Sequence, residues 1–302
     1  MSSSTPNFFI VGAPKCGTTA LHSALSTHPE VFLSPNKEPH FFARDLEISD
    51  GWSVRDENDY LGLFSGAGLA SRIGEASPWY LFSKTAADEI YNFNPEAKIL
   101  ILLRDPVDLI HSVHLQHLNT ANEDLIDLRE ALAAEDDRAA GRRLPKRAPF
   151  PDCLAYRSIG RLTPQVKRYI DRFGRDQVKV LLLDDLRSDE DNYLREVCRF
   201  LEIDEDAQLS VGRRNPSRDL TAVDLMLKRL HYKTRLIPNL QRRIPSSIKN
   251  LYRGAVRMLP AMRSTGISNE LYNQLADELR GDVGQLSELI QRDLSAWCLE
   301  RQ

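Results

Sequence analysis

The sequence predicts an α/β fold in which helices cover a central parallel sheet. Three apolar runs carry this prediction: residues 8–11, 98–103 and 178–183. Each run is short enough to be a buried strand, and each is followed by a turn and a helical pattern. Strands that alternate with helices are typical of a parallel sheet covered by helices. The predicted architecture is a P-loop-like, three-layer α/β fold with extra C-terminal helices.

Length and composition agree with a single domain, and at this length one large α/β domain is as plausible as two small ones. The chain has 302 residues and a formal net charge of −3. This length suffices for a full buried core, and the charge predicts no general attraction to nucleic acid. We expect a single domain over residues 1–302, with a flexible tail at 1–6 and variable helical or loop insertions at 119–155 and 219–265. The oligomeric state stays open.

The apolar runs and the cysteines bear on location. No apolar run approaches the ~18 residues of a membrane span, and the polar residues 1–6 do not resemble a signal peptide. The cysteines lack Cys-x-x-Cys spacing, which favours a reducing compartment. We therefore expect a cytoplasmic protein without a transmembrane segment.

The first predicted strand leads into a turn that suits an anion. Gly12 and Gly17 bracket this turn, Lys15 lies between them, and Thr18 and Thr19 begin the predicted helix. The backbone N–H groups in the first turn of a helix have no partners of their own, and the helix dipole adds partial positive charge there. The pattern therefore predicts a phosphate-binding turn.

The position of the lysine distinguishes two kinds of phosphate-binding turn. In nucleotide triphosphatases the pattern is Gly-x4-Gly-Lys-Ser/Thr, so that a lysine follows the second glycine. Here Gly12 and Gly17 have that spacing, but Thr18 occupies the lysine position and the lysine is Lys15. The order weakens the interpretation as a P-loop nucleotide kinase or an ATP-dependent protein, which we keep as the alternative.

A second motif follows the predicted strand at 98–103. Arg104 lies at the end of this strand, Pro106 suits the start of a helix, and Ser112 lies about two helical turns later. An arginine and a serine so placed can both reach one phosphate group. This motif can therefore form a second phosphate-binding site.

A third motif follows the first predicted helix. It consists of KEPHFF at residues 37–42 and GW at residues 51–52. With Pro-Lys-x-Gly-Thr-Thr after the first strand and Arg-x-Pro after the later one, the chain resembles the sulfotransferases that use 3′-phosphoadenosine 5′-phosphosulfate (PAPS). Within that superfamily it resembles a bacterial branch similar to the heparan sulfate (carbohydrate) sulfotransferases. The resemblance implies PAPS as donor and 3′-phosphoadenosine 5′-phosphate (PAP) as product.

The resemblance also implies a donor site. The residues that it places at the 5′-phosphate are Lys15, Cys16, Gly17, Thr18 and Thr19. At the 3′-phosphate it places Arg104 and Ser112, together with Arg213 or Arg214 from a later basic loop. No metal accompanies the donor in this superfamily.

The chemistry of sulfuryl transfer then suggests two catalytic residues. The reaction is an in-line displacement at sulfur, in which a protein contributes mainly positioning and electrostatic stabilisation. An attacking hydroxyl or amine loses its proton, and a carboxylate within hydrogen-bond reach can accept it. The resemblance places Glu38 as this base. Negative charge builds on the bridging oxygen as the nucleotide leaves, and we assign Lys15 to stabilise that charge.

The acceptor site is less defined. We name His40 and Glu75 as candidate acceptor-binding residues; Glu75, in a predicted strand at 72–75, is either a second acidic group in the cleft or a satisfied carboxylate at a strand end. Ala76 stands where many glycan-modifying relatives have a lysine, which argues against an anionic glycan. We expect a carbohydrate or a small metabolite that carries a hydroxyl or an amine.

Three histidines raise the question of a metal. His111, His114 and His117 are spaced by three residues on one predicted helix. Without a nearby carboxylate or cysteine, this spacing is a poor zinc pattern. We expect no metal site.

Two helical segments and one basic segment complete the chain. Residues 158–173 have a helical pattern, and residues 269–297 have the pattern of paired helices, the end of which is similar to the terminal helix of many bacterial sulfotransferases. Residues 220–263 hold ten Lys or Arg and a single acid. A basic amphipathic surface can bind an acidic substrate or an anionic membrane face, although it is more often a solvated helical face, and these alternatives stay open.

Overall fold

A computed structural model of the protein describes residues 5–48, 53–211 and 267–301. Several of the residues singled out from the sequence lie outside this part of the chain: Gly51, Trp52, Arg213, Arg214 and the basic stretch 220–263. Within the described part, none of the helices has both the length and the apolar character that crossing a membrane requires.

The sheet has five strands: β1 (Phe8–Gly12), β2 (Val31–Leu33), β3 (Arg72–Ala76), β4 (Lys98–Leu103) and β5 (Val178–Leu182). Their order is β2-β3-β1-β4-β5, and every pairing is parallel. All of β1 is buried, as is β4 beyond its first residue. Continuous apolar runs of this kind are typical of strands covered on both faces. The predicted parallel α/β architecture is confirmed.

Helices flank the sheet and connect its strands. Those of the first half are α1 (Thr18–Leu25), α2 (Glu57–Gly62), α3 (Ala86–Phe93), α4 (Pro106–Thr120), α5 (Leu128–Ala133) and α6 (Glu135–Ala139). After a short 3-10 helix come α7 (Tyr156–Gly160), α8 (Leu162–Phe173), α9 (Leu183–Ser188), α10 (Glu190–Leu201) and α11 (Asn269–Ile290). Pro106 is the first residue of α4, as its fixed φ predicts.

The helix predicted over 158–173 is divided into α7 and α8. Arg161, between them, has φ −79° and ψ 90°, which is not helical. Asp282 of α11 accounts for the division, because its carboxylate accepts the N–H groups of Leu162 at 2.8 Å and Thr163 at 3.2 Å. These bonds cap the start of α8 from a distant part of the chain.

The prediction of paired helices over 269–297 is wrong, since the structure has one helix there, α11. This helix ends at Ile290, and its C-cap residue, Gln291, has a left-handed φ of 55°. The following residues form turns, because the side chain of Asp293 accepts the N–H of Ser295 at 2.8 Å. Such a local side-chain bond competes with helical hydrogen bonding.

The strand order determines where a ligand can bind. β2 and β3 lie on one side of β1, and β4 and β5 lie on the other. In open parallel sheets, ligands bind beyond the carboxyl ends of the strands where the order switches direction. The loops that follow β1, β2, β3 and β4 meet at that edge, and they carry the predicted site residues.

Candidate active site

A cavity of about 650 Å³ collects most of the predicted site residues. Those that line it are Lys15, Gly17, Thr18, Thr19, Glu38, His40, Arg104 and Ser112. Its volume is typical of a site for a small molecule. Cys16 and Glu75 are the predicted site residues, within the described part of the chain, that do not line it.

The phosphate-binding turn ends at the start of α1. Gly17 is the N-cap residue, with φ 95°, so no side chain caps the helix from that position, and its first turn holds no acidic residue. A Cβ atom at Gly17 would lie 3.2 Å from Cδ1 of Leu183, so glycine suits both the backbone and the close packing. The N–H groups of the first turn and the helix dipole favour an anion at this position.

Cys16 lies inside the turn. Its N–H donates to the carbonyl oxygen of Ala13 at 3.3 Å, and its buried Sγ donates to that of Pro14 at 3.5 Å. Burial raises the pKa of the Cys16 thiol to about 12, so the thiol stays protonated. The structure gives Cys16 a role in shaping the turn, and its predicted contact with phosphate stays a prediction.

Lys15 and Arg104 bring two positive charges to one wall of the cavity. Nη1 of Arg104 donates to the carbonyl oxygen of Lys15 at 3.4 Å, and Nη2 donates to the carboxylate of Asp108 at 3.3 Å. The Nε of Arg104 is buried and has no partner among the described residues. Burial, and then repulsion by Arg104, lowers the pKa of Lys15. Two cations that line one cavity favour an anionic ligand.

Three residues of the site have a left-handed backbone: Lys15 and Glu38 with φ 64°, and His40 with φ 50°. This conformation costs a residue other than glycine roughly 1–2 kcal/mol, and such residues concentrate at functional sites. The loop after β2, which carries Glu38 and His40, is held by the end of β3. The N–H of Glu38 donates to the carbonyl oxygen of Ala76, and that of His40 donates to Oγ of Ser77, each at 3.1 Å.

The carboxylate of Glu38 is ionised and accessible. Its side chain is 39% exposed, Oε1 lies 2.6 Å from Nζ of Lys37, and Oε2 lies 3.7 Å from Nε2 of His40. Partial burial would raise its pKa, but the interactions with His40 and Lys37 outweigh burial and lower the pKa to about 2. Glu38 can therefore accept a proton at neutral pH.

Glu75 lies beneath the cavity, and its carboxylate is satisfied by hydrogen bonds. This arrangement agrees with the second of the two alternatives that the sequence left open, a satisfied carboxylate at a strand end. It accepts the hydroxyl groups of Tyr60 at 3.0 Å and of Tyr80 and Ser77 at 2.7 Å. Ser77 in turn accepts the N–H of His40. Burial raises the pKa of Glu75 to about 7 despite these donors. Glu75 thus supports the loop that carries Glu38 and does not line the cavity.

Replacement of Glu75 by glutamine should change how stability depends on pH. The pKa of Glu75 is about 7 in the folded protein, above the ordinary value of 4.5. Protonation therefore favours the folded state, and the stability linked to Glu75 falls as pH rises from about 4.5 to about 7. Between pH 5 and pH 8 the wild type should lose roughly 2.5 kcal/mol relative to Glu75→Gln. Urea unfolding at both pH values measures this difference.

An exposed carboxylate supplies the control for this experiment. Glu47→Gln should leave the pH dependence of unfolding as in the wild type, because the side chain of Glu47 is exposed. If Glu75→Gln and wild type lose stability in parallel from pH 5 to pH 8, the titration assigned to Glu75 is wrong.

An aromatic cluster that the sequence did not predict lines another part of the cavity. Trp79 contacts Phe150 edge to face, with ring centroids 5.0 Å apart, and lies nearly parallel to His117, with centroids 6.3 Å apart. The sequence near Trp79 could have indicated its place in the cavity, since Trp79 follows a strand that ends at the site. Nothing in the sequence near Phe150 indicated its place in the cavity, because its position depends on the path of the chain beyond α4.

The three histidines of α4 do not converge. Nε2 of His114 lies 2.9 Å from the carbonyl oxygen of Leu125, whereas His117 faces the cavity. Across residues 5–48, 53–211 and 267–301, no group of three or more His, Cys, Asp or Glu side chains is placed to hold a metal ion.

Comparisons with known sequences fit this site. The sequence matches the family model of the sulfotransferase domain over residues 5–217. It is 35% identical over 167 residues to carbohydrate sulfotransferase 15 of Rattus norvegicus, covering 41% of this chain and 29% of that protein. It is 32% identical over 114 residues to heparan sulfate glucosamine 3-O-sulfotransferase 6 of Mus musculus, covering 38% and 31%. The chain thus spans about three tenths of the length of these relatives.

A solved structure extends the similarity to nearly the whole chain. The crystal structure of a sulfotransferase from Alicyclobacillus acidocaldarius has a TM-score of 0.72 and 32% sequence identity with this protein. The match covers 97% of this chain and 98% of that one. The shared fold, the domain match and the sulfotransferase motifs gathered in one cavity agree, and the chain belongs to the sulfotransferase family.

Proposed function

We propose that this protein transfers a sulfuryl group from PAPS to a hydroxyl or amine of a carbohydrate or small metabolite, by in-line displacement. The observation that carries the proposal is that Lys15, Arg104 and Glu38 line one cavity together with the start of α1. This combination provides cations for a phosphorylated donor and a carboxylate for the proton of an acceptor.

The chain has groups that suit both phosphates of the donor. The first-turn amides of α1 and the hydroxyl groups of Thr18 and Thr19 would hold the 5′-phosphate. Arg104 and Ser112 would hold the 3′-phosphate, and the buried Nε of Arg104, which has no partner among the described residues, would gain one. A bound anion would therefore satisfy donors that the protein leaves unpaired.

Glu38 and Lys15 would act on the reacting atoms. When bound, PAPS supplies the sulfuryl group that is transferred. Glu38, whose pKa is about 2, is ionised and would accept the proton of the acceptor as that group attacks. Lys15 would place its ammonium near the oxygen on which negative charge develops, and its lowered pKa reflects a partly desolvated site where such a charge acts strongly.

The donor site is tested by replacing Arg104. Arg104→Ala should weaken the binding of PAP by about 30-fold or more, because a charge-assisted pair of hydrogen bonds to phosphate is lost. Binding of adenosine 5′-monophosphate, which lacks the 3′-phosphate, should change little. Isothermal titration calorimetry with both nucleotides measures the two effects.

An arginine outside the cavity provides the matched control. Arg280→Ala removes an exposed arginine that pairs with Asp277, and it should leave both affinities unchanged. If Arg104→Ala binds PAP as tightly as the wild type does, the assignment of the 3′-phosphate site is wrong.

A further inference from the structure

The cavity has an aromatic wall, formed by Trp79, His117 and Phe150. The indole of Trp79 is nearly parallel to the imidazole of His117, with an angle of 18° between the planes, and nearly perpendicular to the ring of Phe150, at 88°. Phe150 is 2% and His117 is 4% exposed, so the half-buried Trp79 supplies most of the open apolar face, and the other two rings hold it in place. Such a wall is complementary in shape to a flat ring.

The segment that carries Trp79 is fixed by helix α8. The guanidinium of Arg168 donates to the carbonyl oxygens of Leu81, Phe82 and Ser83, at 3.0 to 3.2 Å. The wall is thus held by backbone contacts near Trp79 and does not need a ligand to form.

A buried ion pair holds the other side of the wall. Arg138 donates to both carboxylate oxygens of Glu123, at 2.7 and 2.8 Å, and Tyr156 donates to the same carboxylate at 2.8 Å. The N–H groups of Asn122 and Glu123 donate to the carbonyl oxygen of His117 at the end of α4. This network fixes the chain where α4 ends, next to the ring of His117.

His117 adds one polar atom to the wall. Its side chain is buried, and its Nδ1 has no hydrogen-bond partner among the described residues. Burial lowers the pKa of His117 to about 4, so its ring is neutral at physiological pH. A buried polar atom without a partner is costly, and a bound hydroxyl group would satisfy it.

The positive charges of the cavity lie elsewhere. Among the described residues that line it, the lysine and arginine side chains are Lys15, Arg104 and Arg187. Arg104 bonds to the backbone of Lys15, and Arg187 belongs to α9, whose Leu183 packs against Gly17. All three therefore belong to the phosphate-binding side. None of these three side chains is part of the aromatic wall, so an anionic acceptor lying on the wall would have its charge against apolar rings, and burying an unpaired charge is costly.

The wall is also close to the proposed base along the chain. The N–H of Glu38 bonds to the carbonyl oxygen of Ala76, and the N–H of His40 bonds to Ser77. Trp79 follows Ser77 by two residues. Trp79 and Glu38 also line the same cavity, so a ring that lies on the wall shares that cavity with the proposed base.

We infer that Trp79, His117 and Phe150 form the acceptor-binding subsite, and that it selects an uncharged, hydroxylated ring with an apolar face over an anionic ring. A neutral sugar and a phenol share this chemistry. The inference rests on the proposed function, because it takes the phosphate-binding side of the same cavity to be filled by the donor nucleotide.

A matched pair of probes tests the selection. 4-Nitrophenyl β-D-glucoside and 4-nitrophenyl β-D-glucuronide differ only in the neutral or anionic group at one carbon. Saturation-transfer NMR titrations with the full-length protein and saturating PAP should give a dissociation constant for the glucoside about tenfold or more below that for the glucuronide. Methyl β-D-glucoside and 2-naphthol, titrated in the same way, distinguish recognition of the sugar from recognition of the aromatic ring.

Two variants assign the effect to the wall. Trp79→Ala removes the largest flat face, and His117→Phe keeps a ring but removes Nδ1; each should weaken binding of the 4-nitrophenyl glucoside by about fivefold or more. The control His111→Phe alters another histidine of α4 that does not line the cavity, and it should have no effect. The affinity for PAP should be the same in all three variants as in the wild type.

The outcomes separate the two proposals. Equal or tighter binding of the glucuronide, binding of neither glycoside to the PAP-loaded protein, or unchanged glucoside binding by both Trp79→Ala and His117→Phe would each overturn the inference. Failure of the wild type to bind PAP would instead overturn the proposed function itself.

Discussion

Replacement of Lys15 by alanine is expected to lower the turnover number of sulfuryl transfer by about a thousandfold or more, because one preorganised donor can contribute this much to a transition state. The ammonium of Lys15 lies in the turn between β1 and α1, and burial and Arg104 lower its pKa. A positive charge in a partly desolvated position interacts strongly with negative charge that develops nearby, because water screens the interaction less there. PAP affinity should fall much less, since the amides of α1 and Arg104 remain.

The measurement compares turnover with binding. PAP release at saturating PAPS, with the best acceptor from a panel of neutral glycosides and phenols, gives the turnover number, and calorimetry gives the affinity for PAP. Lys84→Ala removes an exposed lysine outside the cavity and should behave as the wild type. If Lys15→Ala turns over at the wild-type rate, Lys15 does not take part in the chemical step.

Glu38→Gln is expected to show the second large effect, a loss of turnover of about 100- to 10,000-fold, because the general base is lost while the shape of the side chain is kept. PAP affinity should be nearly unchanged. The pKa of Glu38 is about 2, so in kcat/KM, which reports the free enzyme, protonation of Glu38 should depress activity only near that pH.

His40 provides the comparison for Glu38. Its Nε2 lies 3.7 Å from the carboxylate, and its backbone N–H is held by Ser77. His40→Ala should reduce turnover less than Glu38→Gln does, because it alters the surroundings of the base and keeps the carboxylate. If Glu38→Gln turns over normally and His40→Ala does not, the base is His40.

The parts of the fold that were predicted correctly depend on local sequence. β4 ends at Leu103, where the apolar run ends, and α1 begins at Thr18, directly after the glycine turn. Burial pattern and turn chemistry decide such boundaries within a few residues of chain. The same holds for Arg104, which follows a buried strand and therefore had to lie at the edge of the sheet where the cavity is.

The features that were missed depend on distant residues. The break at Arg161 results from Asp282, which belongs to α11. The choice between the two roles of Glu75 depends on Tyr60 of α2, whose hydroxyl group reaches the carboxylate only in the folded chain. The aromatic wall likewise joins three separate segments, so neither periodicity nor spacing along the sequence predicts it.

The central claim is that the cavity binds a nucleotide with phosphates at both the 3′ and 5′ positions. Calorimetric titration of the wild-type protein with PAP, ADP and ATP, once with Mg²⁺ and once with EDTA, tests it most directly. We expect PAP to bind about tenfold or more tightly than either of the others. Preference for ATP or ADP, nucleotide binding that is lost when EDTA removes Mg²⁺, or no binding of PAP would contradict the claim.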